Sequence, residues 1–237
     1  MRIAFFGGSF DPPHLGHLAV ARAAQQALKL DRVLFAPVGF QPLKPAGHAA
    51  SFEDRVAMTR LAIRDNAAFE ISLIDAPNSN STGPGDKPNR TPNYTVDTLT
   101  QLSQFLPPGT QLFLLLGADA FRSLPRWHRA ADLPFLATLI VASRPGQSLA
   151  AAQLSTCLPR SVTLVRQSQP EVQPPQPIHH RLRNIVGTEA DLYLLPNLNY
   201  DISATALRRE IHQHHGTQPK LLPPAVLEYI HQHRLYQ

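Results

Sequence analysis

Short apolar runs alternate with helical patterns from the first residues of the chain onward, and this alternation constrains the fold more than any other feature. Arg2–Phe6 and Arg32–Val38 predict strands, and the alanine-rich segment His14–Leu28 between them predicts a helix. Gln111–Leu116 is a nearly continuous apolar run, which is typical of a strand buried on both faces of a parallel sheet. The sequence therefore predicts an α/β protein with a parallel sheet flanked by helices.

The remaining elements continue this alternation and add two helices near the C-terminal end. Further strands are predicted at Phe69–Ile74, Ala137–Ser143 and Asp191–Leu195. Further helices are predicted from a Ser51 N-cap to about Asp65, from an Asn93 N-cap over Tyr94–Phe105, and at Ala118–Leu124, Ser203–His214 and Pro223–His233. Polar, proline-rich stretches near residues 77–92 and 166–178 lack periodicity and predict loop insertions. We expect one domain over residues 1–237, with a small C-terminal helical part.

Composition and charge exclude several classes of function. The 237 residues include one cysteine, Cys157, which rules out an intramolecular disulfide framework and a multi-cysteine zinc site. The net charge is +5, but no run of five basic residues occurs, so no nucleic-acid partner is expected. No apolar run approaches the ~18 residues that span a bilayer, and the N-terminus lacks a signal-peptide pattern. We predict a cytoplasmic protein with no membrane partner.

The segment Gly7–His17, the first motif, joins the first predicted strand to the first predicted helix with the sequence GGSFDPPHLGH. Such a turn lies at the carboxyl end of a parallel strand, where open α/β sheets bind ligands. Gly7 and Gly8 lack a Cβ and let a phosphate approach the backbone, and the helix start offers N–H groups. His14 and His17 are three residues apart, so both imidazoles face one side and can donate to phosphate oxygens. Glycine pairs and histidine pairs are each common without a ligand, and only their combination predicts a phosphate site.

The segment Ile202–Arg208, the second motif, opens a predicted helix with the sequence ISATALR. Ser203 is a natural N-cap, which is the ordinary role of a serine before a helix. Thr205 and Arg208 are three residues apart, so a hydroxyl, helix N–H groups and a guanidinium converge at one helix start. This combination predicts an anion site suited to a polyphosphate.

Together the two motifs carry a family resemblance. The first resembles the GGxFDPxHxGH signature, and the second the ISxTxxR signature, of the nucleotidyltransferase superfamily. The segments between the motifs follow the order of the bacterial nicotinate-nucleotide adenylyltransferases: Asn93–Leu99, Gly117–Asp119, Trp127 and Arg144–Gly146. The resemblance covers nearly the whole chain and implies a Rossmann-like nucleotidyltransferase fold. It also implies transfer of AMP from ATP to nicotinate mononucleotide, giving deamido-NAD and pyrophosphate in NAD biosynthesis.

The resemblance further implies roles for individual residues. The catalytic residues would be His14, His17 and Arg208. The ATP-binding residues would be Gly7, Gly8, Ser9, Phe10, Lys44, Ile202, Ser203, Thr205 and Arg208. Asp119 would bind a nucleotide ribose, Trp127 would stack on the pyridine ring, and Tyr94, Thr95 and His128 would surround the nicotinate carboxylate. Mg²⁺ would accompany ATP as substrate without a dedicated protein metal site, and a homo-oligomer stays open.

Several of these residues have simpler interpretations, and the chain departs from the family pattern at three places. Trp127 alone is more often a core anchor, and Asp119 could cap a helix. The family's Pro-Pro-His-Lys/Arg loop is Gln41–Lys44 here and lacks the histidine, and Ala204 replaces a common serine. The 77–92 stretch is longer than the pattern predicts, which affects the acceptor assignment more than the use of ATP.

Two other functions stay open from the sequence. A related nucleotidyltransferase would use another phosphate acceptor, such as phosphopantetheine or a sugar phosphate. A non-catalytic nucleotide-binding module would be expected to lose the motif histidines or Arg208, and all are present. Metal binding is a further hypothesis for the histidines near the C-terminal end, which no cysteine or carboxylate cluster joins: His212, His214, His215, His231 and His233.

Overall fold

The computed structural model describes residues 1–43, 47–77, 92–143, 151–165, 176–195, 202–213 and 221–237. These residues form two compact units, each assembled from separate parts of the chain. The first comprises Met1–Phe6, Ala19–Val33 and Thr95–Asp201, and the second Gly7–Leu18, Leu34–Tyr94 and Ile202–Gln237. Most of both predicted loop insertions lies outside the described residues, and the single-domain interpretation stays a prediction.

Within the described residues, eight strands form one mostly parallel sheet. The strands are β1 (Arg2–Gly8), β2 (Arg32–Pro37), β3 (Phe69–Ile71), β4 (Gln111–Gly117), β5 (Thr138–Ala142), β6 (Val162–Val165), β7 (Ile178–Asn184) and β8 (Glu189–Leu195). Their order is β3-β2-β1-β4-β5-β8-β7-β6. The pairs β1–β4, β4–β5 and β5–β8 are parallel, with Leu114 opposite Leu139 in the central pair. The predicted α/β class and parallel sheet are confirmed for this part.

One edge of the sheet differs from the prediction, because β6 and β7 run antiparallel to their neighbours. Polar side chains stabilise this edge: Arg181 and Arg183 both donate to Glu189 across the β7–β8 pair. The sequence of β7, IHHRLRN, lacks a clear apolar alternation, and only Leu182 of it is fully buried. The strand forms by pairing with β8, which no local pattern shows.

The helices flank the sheet. They are α1 (Leu15–Leu28), α2 (Phe52–Ile63), α3 (Thr95–Phe105), α4 (Ala118–Ser123), α5 (Leu133–Leu136), α6 (Ala151–Cys157), α7 (Ala204–Gln213) and α8 (Pro224–Gln232), with a 3₁₀ turn at Leu124–Arg126. All the helices but α5 and α6, which the sequence did not predict, lie close to their predicted positions. The predicted Ser51 cap is confirmed, because the Ser51 Oγ accepts a hydrogen bond from the Asp54 N–H at 3.0 Å. No helix in the described part of the chain is long and apolar enough to cross a membrane.

The predicted Asn93 cap of α3 is wrong. The Asn93 side-chain oxygen accepts a hydrogen bond from the Phe40 N–H at 2.8 Å, and the Asn93 N–H donates to the Phe40 carbonyl at 3.1 Å. Asn93 therefore joins the segment before α3 to the chain after β2. The Asn93 side chain binds the distant Phe40 N–H instead of capping α3, and the sequence contains no signal for this long-range contact.

Each unit has its own buried apolar core. In the first unit the central strands are fully buried, as the continuous apolar run predicted, through Leu114, Leu115, Leu139, Ile140 and Val141. In the second unit three aromatic rings are in contact in series at tilted angles. The ring centroids of Phe10 and Phe35 are 5.6 Å apart, and those of Phe35 and Phe69 are 5.2 Å apart. Because Phe10 belongs to the turn after β1, this series ties the first motif to the core.

Candidate active site

The first motif forms a tight turn between β1 and α1. Phe10 has a left-handed backbone, with φ of 46°, and its side chain is only 1% exposed. A non-glycine residue in this conformation is costly, so burial of the ring must hold it. A Cβ on Gly8 would lie 3.2 Å from two Phe10 ring carbons, which is a close contact. Gly8 therefore lets the chain fold back over the Phe10 ring at the carboxyl end of β1.

The two histidines of the first motif form a stacked pair, which confirms that both face the same side. The ring centroids of His14 and His17 are 3.7 Å apart, with the planes inclined by 25°. The His17 Nδ1 accepts a hydrogen bond from the His14 backbone N–H at 3.2 Å. A neutral His17 therefore carries its proton on Nε2, which makes that nitrogen a hydrogen-bond donor. His14 is buried and His17 is half-buried.

The second motif lies against the first within the second unit. A Cβ on Gly16 would lie 3.0 Å from the His14 Nδ1 and 3.4 Å from the Ile202 Cδ1, so Gly16 lets the two motifs pack closely and a side chain there would crowd His14. The Arg208 Nη1 donates to the Asp11 carbonyl at 2.6 Å, and its Nη2 donates to the Thr205 hydroxyl at 3.3 Å. These contacts bring the predicted histidines, hydroxyl and guanidinium into one place.

The start of α7 has the predicted cap. The Ser203 Oγ accepts a hydrogen bond from the Ala206 N–H at 3.4 Å, and the Ser203 carbonyl accepts one from Leu207 at 3.0 Å. Ser203 and Thr205 are exposed, so both hydroxyls can be reached from solvent. The positive end of the α7 dipole therefore lies beside Arg208, which suits an anionic ligand.

Asp11 is the residue that joins these parts, and sequence reasoning assigned it no individual role. Its carboxylate is buried and accepts hydrogen bonds from the N–H groups of Ala49 and Ala50, at 2.7 and 3.2 Å. The Tyr236 hydroxyl donates to the same carboxylate at 2.6 Å. Burial and this hydrogen bond raise the pKa of the Tyr236 phenol above its ordinary value. Asp11 stands in the first motif, which is the signal that could have identified it.

Arg55 is a second residue that sequence reasoning missed. It is 1% exposed, and its Nη1 and Nη2 donate to the carbonyls of Ser9 and Val38 at 2.7 and 2.8 Å. Burial lowers the pKa of this guanidinium, while the nearby Asp11 carboxylate opposes the shift. Arg55 occupies one position of the buried stripe of α2, whose other members are Met58, Thr59, Ala62 and Ile63. An arginine at helical spacing within an apolar stripe is the signal for such a buried tether.

The residues predicted to bind the acceptor nucleotide lie at the start of α3 and in the segment after β4. Asp119 is exposed and accepts a hydrogen bond from Arg122 at 3.1 Å, and it does not cap α4. Trp127 is half-buried and its Nε1 donates to the Ser123 hydroxyl at 3.0 Å, so it is not a core anchor. His128 is exposed, and Thr95 is the first residue of α3.

Tyr94, the residue before α3, is half-buried and belongs to the second unit, whereas the other acceptor residues belong to the first. Two predicted positions, Lys44 and Arg144–Gly146, lie outside the described residues, as do His214 and His215. Among the residues that are described, no group of three histidine, cysteine or acidic side chains is placed to hold a metal ion.

Comparison with known proteins gives the family. The cytidylyltransferase-like family model matches residues 5–210. The probable nicotinate-nucleotide adenylyltransferase of Solibacter usitatus (strain Ellin6076) is 34% identical over 236 residues, covering all of both chains. The chain belongs to the nicotinate-nucleotide adenylyltransferase family. Another member, from Roseiflexus sp. (strain RS-1), is 37% identical and covers 99% of this chain and 98% of its own.

Members of the fold are also found among solved structures. The Plasmodium falciparum nicotinic acid mononucleotide adenylyltransferase complexed with NaAD matches with a TM-score of 0.66. The match covers 99% of this chain and 97% of the other, at 17% sequence identity. The two proteins therefore share the fold over essentially the full length of both chains.

Proposed function

We propose that the protein transfers the AMP group of ATP to nicotinate mononucleotide, producing deamido-NAD and pyrophosphate for NAD biosynthesis. The convergence of both motifs in the second unit carries this proposal. His14, His17, Arg208 and the start of α7 meet there, joined through the Arg208–Asp11 hydrogen bond of 2.6 Å. Such a set of donors fits a polyphosphate, and the family supplies the acceptor.

The ATP phosphates would lie between the first motif and the start of α7. The backbone of Gly7–Phe10 would approach them closely, and the exposed hydroxyls of Ser203 and Thr205 would donate to their oxygens. Arg208 and the two imidazoles would bind the α-phosphate and the leaving phosphates. Lys44 would add a cation, as the sequence predicts. Because His14, His17 and Arg208 already lie together, these three donors would need little reorganisation as charge develops.

The reaction itself requires only one displacement. An oxygen of the mononucleotide's 5′-phosphate forms a bond to the α-phosphorus of ATP, and the bond between that phosphorus and the bridging oxygen to the β-phosphorus breaks. The electron pair leaves with pyrophosphate, and no covalent enzyme intermediate is formed. Both reactants are anions, so holding them in line against the cationic donors offsets a large part of the barrier, on the order of 7–11 kcal/mol.

Magnesium is proposed to enter as part of the MgATP substrate. Mg²⁺ keeps much of its water and binds phosphate oxygens, so it needs few protein ligands. The Asp11 carboxylate belongs to the residue whose carbonyl binds Arg208, and it is already engaged by three donors. Because this carboxylate is occupied by hydrogen bonds, the metal would be held mainly by the phosphates of the nucleotide.

The acceptor pocket is proposed to prefer the nicotinate form over the nicotinamide form. Trp127 would stack on the pyridine ring, Asp119 would bind a ribose, and N–H groups near Thr95 and His128 would donate to the carboxylate. Tyr94 is the further residue that the resemblance assigns to nicotinate binding. An amide at that position turns an NH₂ group toward those donors. Each buried polar group left unsatisfied costs about 1–3 kcal/mol, enough for a marked preference.

A panel of acceptors tests the proposal. Purified protein with MgATP is given nicotinate mononucleotide, nicotinamide mononucleotide or phosphopantetheine in turn, and pyrophosphate and dinucleotide are measured. The proposal expects fast product with the nicotinate form and at least about tenfold slower product with the amide. Equal or faster turnover of nicotinamide mononucleotide, or turnover of phosphopantetheine alone, would contradict the acceptor assignment. The cytoplasmic location and the oligomeric state stay predictions.

A further inference from the structure

The C-terminal segment ends in an unusual backbone conformation. Arg234 and Tyr236 both have left-handed backbones, with φ of 51° and 63°. A non-glycine residue in this region is energetically costly, so tertiary contacts must hold the segment. The contact recorded for the Tyr236 hydroxyl is its hydrogen bond of 2.6 Å to the Asp11 Oδ1. The strained end of the chain is thus directed at the first motif.

Asp11 connects Tyr236 to the proposed phosphate site. Its Oδ2 is bound by the Ala49 N–H at 2.7 Å, whereas its Oδ1 has the long Ala50 contact at 3.2 Å and the short Tyr236 contact. Tyr236 therefore supplies the shortest hydrogen bond to that oxygen. The carbonyl of the same residue accepts the Arg208 Nη1 at 2.6 Å. Asp11 therefore connects the Tyr236 hydroxyl to the Arg208 guanidinium.

We propose that Tyr236 is a positioning residue of the active site: its hydroxyl fixes Asp11, and Asp11 fixes the guanidinium of Arg208 for the ATP phosphates. This inference rests on the proposed function. Tyr236 itself touches no substrate. It acts through Asp11, so its loss changes the placement of Arg208 rather than the number of cations in the site. A misplacement of about 1 Å in such a site can cost about 100-fold in rate.

A matched pair of variants tests this role. Tyr236→Phe removes the hydroxyl that binds Asp11, and Tyr229→Phe removes another hydroxyl of the same C-terminal segment, one that donates to Asp54 at 2.9 Å. We expect Tyr236→Phe to lower kcat about 10- to 100-fold while the KM for nicotinate mononucleotide changes less than about twofold. Tyr229→Phe should keep kcat within about twofold. Unchanged kcat in Tyr236→Phe, or an equal loss in both variants, would overturn the proposal.

A double-mutant cycle distinguishes positioning from general destabilisation. If Tyr236 acts through Arg208, Tyr236→Phe should reduce kcat by only about twofold in an Arg208→Lys background, because the two changes disrupt one chain of contacts. Independent, multiplicative effects on kcat would overturn the proposal even if Tyr236→Phe were less stable.

Failure of the proposed function is separated from failure of this inference by binding of a non-hydrolysable ATP analogue. If the wild-type protein made no product with any acceptor, the proposed function would fail. Tyr236→Phe should still bind the analogue about 3- to 10-fold more weakly than Tyr229→Phe does. Equal affinity of the two variants would overturn the positioning role.

Discussion

At the scale of single residues, the arginine of the second motif joins two tasks that a lysine cannot combine. Arg208 donates from Nη1 to the Asp11 carbonyl and from Nη2 to the Thr205 hydroxyl, and its remaining N–H groups are the ones proposed to bind phosphate. A lysine ammonium keeps the charge but lacks the planar fork that sets these directions. The value of Arg208 therefore lies in orientation as much as in charge.

This difference predicts the effect of a conservative change. Arg208→Lys should lower kcat for dinucleotide formation by about 100-fold or more, with the free energy of unfolding nearly unchanged. The neighbouring Arg209 is exposed and makes the matched control, since Arg209→Lys should leave kcat within about twofold. Steady-state kinetics and urea unfolding of both variants check the prediction. Equal activity of the two lysine variants would remove Arg208 from the proposed machinery.

The raised pKa of Tyr236 predicts a pH dependence of stability. Asp11, Arg55 and Arg208 surround the phenol, and burial is the largest cause of the shift. An unfolded tyrosine releases its proton near pH 10, whereas the folded one keeps it, so the contribution present below pH 10 is lost as the pH rises further. The extra stability of the wild type over Tyr236→Phe should therefore stay constant up to about pH 9.5 and shrink between about pH 10 and pH 11.5 in urea unfolding. A constant difference would contradict it.

Site residues that belong to a local sequence motif could be predicted, whereas residues that act through contacts distant in sequence could not. His14 and His17 are three residues apart at the start of α1, and Thr205 and Arg208 are three apart in α7; the structure shows the first as a stacked pair and the second as a hydrogen-bonded pair. Tyr236 has no pattern around it. Its partner Asp11 is distant in sequence, so only the folded chain reveals the contact.

At the scale of elements, α2 holds the turn after β1 and the end of β2 through one buried side chain. Arg55 donates to the carbonyls of Ser9 and Val38, and no solvent reaches it to replace those bonds. One guanidinium thus binds the half-buried Ser9 carbonyl and the buried Val38 carbonyl. The helix acts as a support for the first motif rather than as part of the site.

Removing this tether should destabilise the fold. Arg55→Met leaves the Ser9 and Val38 carbonyls without their donor, at about 1–3 kcal/mol each, so the free energy of unfolding should fall by about 2–5 kcal/mol. Arg60→Met changes an exposed arginine of the same helix and should cost less than about 0.5 kcal/mol. Urea denaturation of both variants measures the difference. Similar losses in the two variants would show that Arg55 is no tether.

The chain after β2 makes a close approach that only glycine allows. The Gly39 N–H donates to the Asp75 carbonyl at 2.7 Å, and a Cβ on Gly39 would lie 2.7 Å from the Pro77 nitrogen. Because both neighbours are backbone atoms, Gly39→Ala should lower the free energy of unfolding by about 1–3 kcal/mol. Gly117→Ala is the control, since a Cβ there meets nothing within 4 Å. Equal stability of the two variants would contradict the close approach.

Elements with a strong local pattern were predictable, and elements formed by pairing were not. The helix after Ser51 has a capping serine and an acidic first turn, and its predicted start is confirmed. The strand β7 instead depends on Glu189 and its other partners in β8. The Asn93 cap was wrong for the same reason, because a bond to Phe40 replaced the local one.

At the scale of the whole molecule, two short motifs from opposite ends of the chain meet in one compact unit. The parallel order of the strands places the first motif at the carboxyl end of β1, as the alternation of strands and helices predicted. The second motif reaches Asp11 through Arg208, and the last residues of the chain reach it through Tyr236. The sequence motifs indicated the chemistry, whereas the contacts that assemble the unit required the structure.

The most direct test of adenylyl transfer follows the label of ATP. Wild-type protein and His17→Ala are incubated with [α-³²P]ATP, Mg²⁺ and nicotinate mononucleotide, with exposed His231→Ala as the matched control. The account predicts that the label appears in deamido-NAD and that pyrophosphate is unlabelled, at rates equal within about twofold for wild type and His231→Ala. His17→Ala should be at least about 100-fold slower. Labelled product formed equally fast by His17→Ala, or no labelled dinucleotide from the wild type, would contradict it.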